Sequence, residues 1–246
     1  MNDAHSPTGT ALGRAAAPAL TGRARLVLDG VSKRWRRSDR PVLDRIRLEV
    51  PAATVVVVAG RNGVGKTTLL RIVAGIIAAD AGSVALDGLS PRRNRRRYHR
   101  QVGFLSAGSA GLYARLTVAQ HLAYWASLAF VPAGEREERV ASALARFELE
   151  DVAGQRADRL SMGQRQRLRL ALALLHEPTL LLLDEPWNSL DGEGIELVNA
   201  AILDFKARGG SGLVCTPSGH ELDALPADRT YVLDGGRLEA GAHVAL

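Results

Sequence analysis

The residues with the most definite chemical content are Gly60, Arg61, Asn62, Gly63, Val64, Gly65, Lys66, Thr67 and Thr68, which carry the spacing G-x-x-x-x-G-K-[ST]. Glycines at these positions let the main chain approach a ligand closely, and successive backbone N–H groups then converge on phosphate oxygens. Lys66 reaches the outer phosphates of a nucleoside triphosphate as a mobile cation, and Thr67 offers its hydroxyl to a magnesium ion bridging them. A second group is Asp184 and Glu185, two carboxylates at the end of the apolar run Leu180-Leu181-Leu182-Leu183. An acid ending a buried strand beside a phosphate loop can hold the other side of the magnesium ion. The next residue points to the opposite face of the strand or past its end, where Glu185 is free to act as a base on water. A third group is Ser161, Gly163 and Gln164. Ser161 can cap a helix and Gly163 admits a close backbone approach, so a second anion site is expected at that helix N-terminus.

These groups need elements to hold them. The β-branched run Val55-Val56-Val57-Val58-Ala59 predicts a buried strand entering the glycine loop, and Thr68-Leu69-Leu70-Arg71-Ile72-Val73 predicts the helix leaving it. Strand, loop and helix in that order argue against the competing reading, a glycine-rich turn that binds nothing. Further strands are expected at 26–28, 46–50, 82–86, 102–105, 212–216 and 230–233, with Asp234-Gly235-Gly236 turning the last into a hairpin. Residues 117–130 and 135–149 read as helices, the first opening on Thr117 and the second following Pro132-Ala133-Gly134, and a short helix is expected at 221–225. The helical block interrupts the strand pattern, which suggests a subdomain inserted at about 107–160. Residues 1–23 lack periodicity and are expected to be a disordered extension, leaving 24–246 as the domain; Arg14 breaks the apolar stretch that a secretory signal needs.

Composition limits the function classes. The chain has 246 residues, 46% hydrophobic and 24% charged, which suits one large α/β domain. No apolar run approaches the roughly 18 residues a membrane-spanning helix requires. The net charge of +6 raises nucleic acid as a partner, and the run Arg92-Arg93-Asn94-Arg95-Arg96-Arg97-Tyr98-His99-Arg100 concentrates it. Such runs are usually solvated faces or loops, with anionic lipid and nucleic acid as the functional alternatives. The single cysteine, Cys215, sits in an apolar run and reads as a small core residue. Trp35, in a basic loop, either stacks on a purine ring or folds over local apolar surface.

The three motifs together resemble the ATP-binding subunits of ABC transporters, over about residues 26–241: the loop Gly60 to Thr67, the signature Leu160-Ser161-Met162-Gly163-Gln164, and the strand with its acids, followed by Ser189-Leu190-Asp191. The resemblance implies an α/β P-loop NTPase core of ABC type with an antiparallel β subdomain and an inserted α-helical subdomain. It implies an ATPase using ATP and Mg2+. Trp35 then takes the adenine-stacking place, Asp184 supports the metal, and Glu185 polarises the attacking water. Asp191 belongs to a segment that crosses between subunits. The family acts as a head-to-tail dimer in which Ser161 and Gly163 of one ATP-binding subunit cover the ATP held by the other.

The resemblance also implies a membrane-spanning permease as partner and a place at the cytoplasmic face of the membrane, and it makes nucleic acid an unfavoured partner. The segment 112–118 is similar to one common in exporter-type members, so export with a separately encoded permease is expected. The alternatives are a soluble ATPase of this type acting on nucleic acid or ribosomes, and a binding-only regulatory ATPase. Two positions depart from the family pattern. Ala107 stands where a metal-sensing glutamine is usual, and Pro217 where a catalytic histidine is usual. His220 is the nearest histidine; it serves as the catalytic one only if Ser218-Gly219 turns it back, and its displacement favours a position out of reach. Loss of such a stabiliser costs about 10²–10³ in rate, so slow hydrolysis is expected with ATP binding intact.

Overall fold

The computed structural model describes residues 24–36, 38–107, 111–188, 190–217 and 227–241. The expected extension 1–23, the expected helix at 221–225, and His220 lie outside the described residues. Two sheets organise the rest. Strands β1 (Ala24–Lys33), β2 (Leu43–Pro51) and β4 (Ala81–Leu86) form an antiparallel sheet in the order β2-β1-β4. The larger sheet runs β5 (Val102–Leu105), β6 (Leu180–Asp184), β7 (Ser211–Thr216), β3 (Val55–Ala59), β8 (Arg229–Asp234) and β9 (Arg237–Ala240). Its first five strands are parallel, and β9 returns antiparallel to β8 through the turn at Gly235-Gly236.

The parallel strands are covered on both faces, which is why they read as continuous apolar runs rather than alternations. Side chains alternate across the pleat, so Val55 and Val57 join one core while Val56 and Val58 join the other. Strand β6 divides in the same way, with Leu181 and Leu183 on one side and Leu180 and Leu182 on the other. One face packs on the antiparallel sheet and on α1 (Lys66–Val73). The other packs on α3 (Val118–Leu128), α5 (Met162–Leu174) and α6 (Gly192–Ala207).

Thr117 caps α3 with a full capping box, its hydroxyl accepting from the Gln120 N–H at 3.2 Å and the Gln120 carboxamide accepting from the Thr117 N–H at 2.9 Å. A 3₁₀ turn at Ala133–Glu135 precedes α4 (Arg136–Arg146). These elements occupy the helical block that the sequence suggests. The arginine run is a solvated face, with Arg92, Arg93, Arg95, Arg96, Arg97 and Arg100 exposed; α2 (Arg95–His99) forms within it, anchored by Tyr98, which is fully buried and donates to the Val73 carbonyl at 2.5 Å. Helix α6, sixteen residues long, has no counterpart among the expected elements. Its signals were present: Asp191 caps it by accepting from the Gly194 N–H at 2.9 Å, and Val198, Ile202 and Phe205 bury one stripe.

Candidate active site

Strand β3 delivers the chain into the glycine loop. A Cβ on Gly60 would lie 2.6 Å from the Leu233 carbonyl oxygen, so only glycine fits where the loop passes β8. Gly65 has φ +117, and a Cβ there would lie 3.0 Å from Val42. Arg61, Asn62 and Gly63 are exposed and Val64 half-buried, leaving the loop's backbone toward solvent. Lys66, the first residue of α1, is only 5% exposed, and its Nζ donates to the carbonyls of Gly60 at 2.6 Å and Arg61 at 3.1 Å. The ammonium is thus stationed across the mouth of the loop, held by carbonyl dipoles that an anionic ligand can displace.

Strands β6 and β3 flank β7, and this brings Asp184 to Thr67. Thr67 Oγ1 donates to Asp184 Oδ2 at 2.8 Å. Asp184 is fully buried, and its Oδ1 has no hydrogen-bond partner among the described residues. A buried carboxylate oxygen without a donor is costly, and beside a threonine hydroxyl it fits a cation. Among the described residues no group of three or more His, Cys, Asp or Glu could hold a metal ion, so a cation at Asp184 and Thr67 would draw its remaining ligands from phosphate and water. Cys215 lies in the neighbouring strand, fully buried, and burial, helped by the nearby Asp184 charge, pushes its thiol well above the usual range.

Glu185 falls just past the end of β6, with φ +50. For a side chain larger than glycine this left-handed backbone costs about 1 kcal/mol or more, and such strain concentrates at functional sites. Its N–H donates to the Cys215 carbonyl at 2.9 Å and its carbonyl accepts from the Asn188 N–H at 3.2 Å. The half-buried residue therefore departs from the strand's backbone conformation just after Asp184.

The signature lies elsewhere. Ser161 caps α5, its hydroxyl accepting from the Gln164 N–H at 3.1 Å while the Gln164 carboxamide accepts from the Ser161 N–H at 2.9 Å. No hydrogen bond joins Ser161, Gly163 or Gln164 to the glycine loop among the described residues. Met162 is 63% exposed, and a Cβ on Gly163 would meet only Ser161 Oγ, at 4.0 Å. The close approach expected at Gly163 is therefore not made among the described residues. Trp35 is 47% exposed, with Lys33 Nζ 5.4 Å from its ring centroid. Its loop closes where the Val42 N–H donates to the Lys33 carbonyl at 2.8 Å, and Val42 is the residue against Gly65. The tryptophan loop and the phosphate loop are thus packed as neighbours.

Sequence reasoning missed one linkage. Arg169 of α5 donates to the Ser106 carbonyl, just before Ala107, and to Gln166 Oε1 at 2.9 Å. Gln166 in turn donates from Nε2 to the Pro186 carbonyl at 2.7 Å, next to Glu185. The alternation of Arg165, Arg167 and Arg169 with other residues is the available signal in the sequence, and a helical wet face accounts for it equally well. Arg165 and Arg167 are also committed, the first to the carbonyls of Ala157 and Asp158 and the second to Glu148.

The fold and the site together define a P-loop nucleoside-triphosphate-binding protein. The family model described as "ABC transporter" matches residues 43–188. The chain is 38% identical over 233 residues to the aliphatic sulfonates import ATP-binding protein SsuB of Cupriavidus necator, covering 94% of this chain and 73% of that one. It is also 38% identical over 210 residues to the cytochrome c biogenesis ATP-binding export protein CcmA of Xanthomonas campestris pv. campestris, covering 85% and 92%. A solved structure described as the ATP binding subunit of an ABC transporter superposes with a TM-score of 0.80 at 26% identity, covering 89% of this chain and 90% of the other. The chain belongs to the ABC transporter family, as an ATP-binding domain with ATPase activity. Its similarity extends to import and export proteins alike. No helix among the described residues is long and apolar enough to cross a membrane.

Proposed function

We propose that this chain binds ATP with magnesium, hydrolyses it, and energises a separate membrane-spanning permease from the cytoplasmic face. The observation that carries the reading is the preformed contact of Thr67 with Asp184, with the second Asp184 oxygen unpartnered and Lys66 poised on carbonyl oxygens. The N–H groups of residues 60–68 cradle the phosphates, Lys66 exchanges its two carbonyl partners for phosphate oxygens, and Trp35 stacks on the base. Magnesium, when bound, neutralises charge developing on the transferred phosphoryl group. Thr67 and Asp184 hold that ion, and Glu185 orients and deprotonates the attacking water from its position past the strand end.

The open N-terminus of α5 supports a dimer in which Ser161, Gly163 and Gln164 cover the ATP bound by a second ATP-binding subunit. We take residues 24–246 as the domain, with a helical subdomain at about 107–160 that meets the permease. We assign export on the 112–118 segment. His220, outside the described residues, is kept as the candidate γ-phosphate contact, against the expectation from its displacement that it lies out of reach. The test is steady-state hydrolysis by the purified chain, with magnesium and with chelator, for wild type and His220→Ala. Magnesium-dependent turnover supports the reading. Absence of ATP binding by the folded chain overturns it, and equal rates for wild type and His220→Ala remove the histidine from the mechanism. Direction is tested separately with the permease in vesicles, where ATP-driven uptake into inside-out vesicles is expected.

A further inference from the structure

Between Asp87 and Glu135 the chain has no aspartate or glutamate, and Arg92, Arg93, Arg95, Arg96, Arg97 and Arg100 all fall inside that stretch, each exposed. None of their guanidiniums makes a salt bridge among the described residues, whereas Arg25, Arg139, Arg146, Arg167 and Arg237 each have a carboxylate. The two acids preceding the run in sequence are taken, Asp80 by Lys33 at 2.7 Å and Asp87 by Arg25 at 3.7 Å. The array is fixed in place. Tyr98 anchors it to the Val73 carbonyl, and a Cβ on Gly75 would lie 2.9 Å from Pro91 and 3.2 Å from His99 Nε2. That close packing sets Ile76, 58% exposed, beside the run. On another side the Arg96 guanidinium lies 4.3 Å from the ring centroid of Phe130, itself 52% exposed. Where α1, β4 and the run meet, a hollow of about 910 Å³ is lined by Ile72, Ile76, Ile77 and Val84 together with Arg92 and Arg93, and by no carboxylate. Like charges held this densely without counter-charges cost the fold stability, and an anionic surface reverses the sign of that cost.

We propose that the arginine run, with Ile76 and Phe130 at its edges, is a lipid-binding face that docks directly on an anionic phospholipid surface. The guanidiniums pair with headgroup phosphates, whose oxygens match their forked donors. The exposed apolar side chains enter the boundary between headgroups and acyl chains, which accepts cationic and aliphatic groups side by side. Nucleic acid would satisfy the arginines alone. It leaves Ile76 and the apolar hollow unused, and a face built for it offers polar side chains to base edges or a free aromatic ring for stacking. Here one side of the Phe130 ring is already covered by Arg96. The chain thus has a hold on the bilayer of its own, separate from any hold through a protein partner. The choice of lipid rests on the reading above that the chain works at a membrane face.

The test is sedimentation of the purified full chain with vesicles of phosphatidylcholine, with and without phosphatidylglycerol. Binding is expected only where phosphatidylglycerol is present, and it should weaken as salt rises. Each arginine near an anionic surface contributes about fivefold, so Arg92→Gln, Arg93→Gln and Arg96→Gln together should weaken partitioning by about 10²-fold. The same charge removed elsewhere, by Arg45→Gln, Arg47→Gln and Arg237→Gln, should leave it nearly unchanged. Ile76→Ser should weaken binding severalfold, and the fluorescence of Ile76→Trp should gain a blue shift on the anionic vesicles that wild type lacks. Equal binding to both kinds of vesicle, or to neither, overturns the proposal. So does an equal loss in the two triple variants, since net charge alone then accounts for the attraction. A tryptophan at position 76 that stays in water overturns the apolar part of the contact. Single-stranded RNA that binds with the same arginine dependence while vesicles do not makes the occupant nucleic acid and also overturns the proposal. ATP binding and hydrolysis by the free chain should be unchanged in every variant, and measuring them separately distinguishes these failures from failure of the ATPase reading.

Discussion

The phosphate loop and the N-terminus of α5 are both helix starts that carry glycine, yet the chain treats them oppositely. At the loop, the glycines are enforced from within: Gly60 passes the Leu233 carbonyl and Gly65 meets Val42. Lys66 and Thr67 find partners inside the domain. At α5, Ser161 and Gln164 satisfy each other, Met162 faces solvent, and the space over Gly163 is open. One region is fitted from within the domain. The other presents an open surface among the described residues, which supports the proposed reading of it as half of a shared site.

The largest expected effect is at the loop. Lys66→Ala should reduce ATP turnover by at least about 10²-fold, measured by phosphate release, because a positioned cation is lost from the site. Glu185→Gln should nearly abolish turnover while retaining ATP, and should elute as an ATP-dependent dimer in size-exclusion chromatography; a chain that stays monomeric at saturating ATP counts against the shared site. The two glycines separate the regions directly. Gly60→Ala should destabilise the fold by about 1–3 kcal/mol, read by chemical denaturation, since its Cβ meets backbone. Gly163→Ala should stay within about 1 kcal/mol of wild type, because nothing but Ser161 Oγ stands near. Gly163→Trp should likewise fold and bind ATP as a monomer, yet fail to dimerise; dimerisation unaffected by that bulk would remove the distinction between the two regions. The smallest effect is at Cys215. With its thiol buried and its titration raised, alkylation at pH 8 should be negligible in the native chain and rapid after denaturation.

Much of the core was legible because its signals are local. The five-residue apolar run Val55–Ala59, the Thr117 cap and the glycine hairpin at 235–236 each specify their own backbone. Helix α6 escaped because its apolar stripe is diluted by Glu193, Glu196 and Asn199, although Asp191 marks its start. In the arginine run charge density correctly argues for solvent, while the single Tyr98 anchor decides that part of it is helical.

What the sequence determined by itself was residue chemistry at fixed spacing: a lysine and threonine after a glycine loop, two acids after a strand, and a serine and glycine opening a helix. Those patterns are short, so their geometry follows from local backbone rules. Only the tertiary structure brought Thr67 within 2.8 Å of Asp184 across 117 residues of chain and left the other Asp184 oxygen unpartnered. Only it joined Ser106, Arg169, Gln166 and Pro186 into one path. Strand order in a parallel sheet sets such meetings, and that order depends on how the whole apolar surface is buried rather than on any one segment.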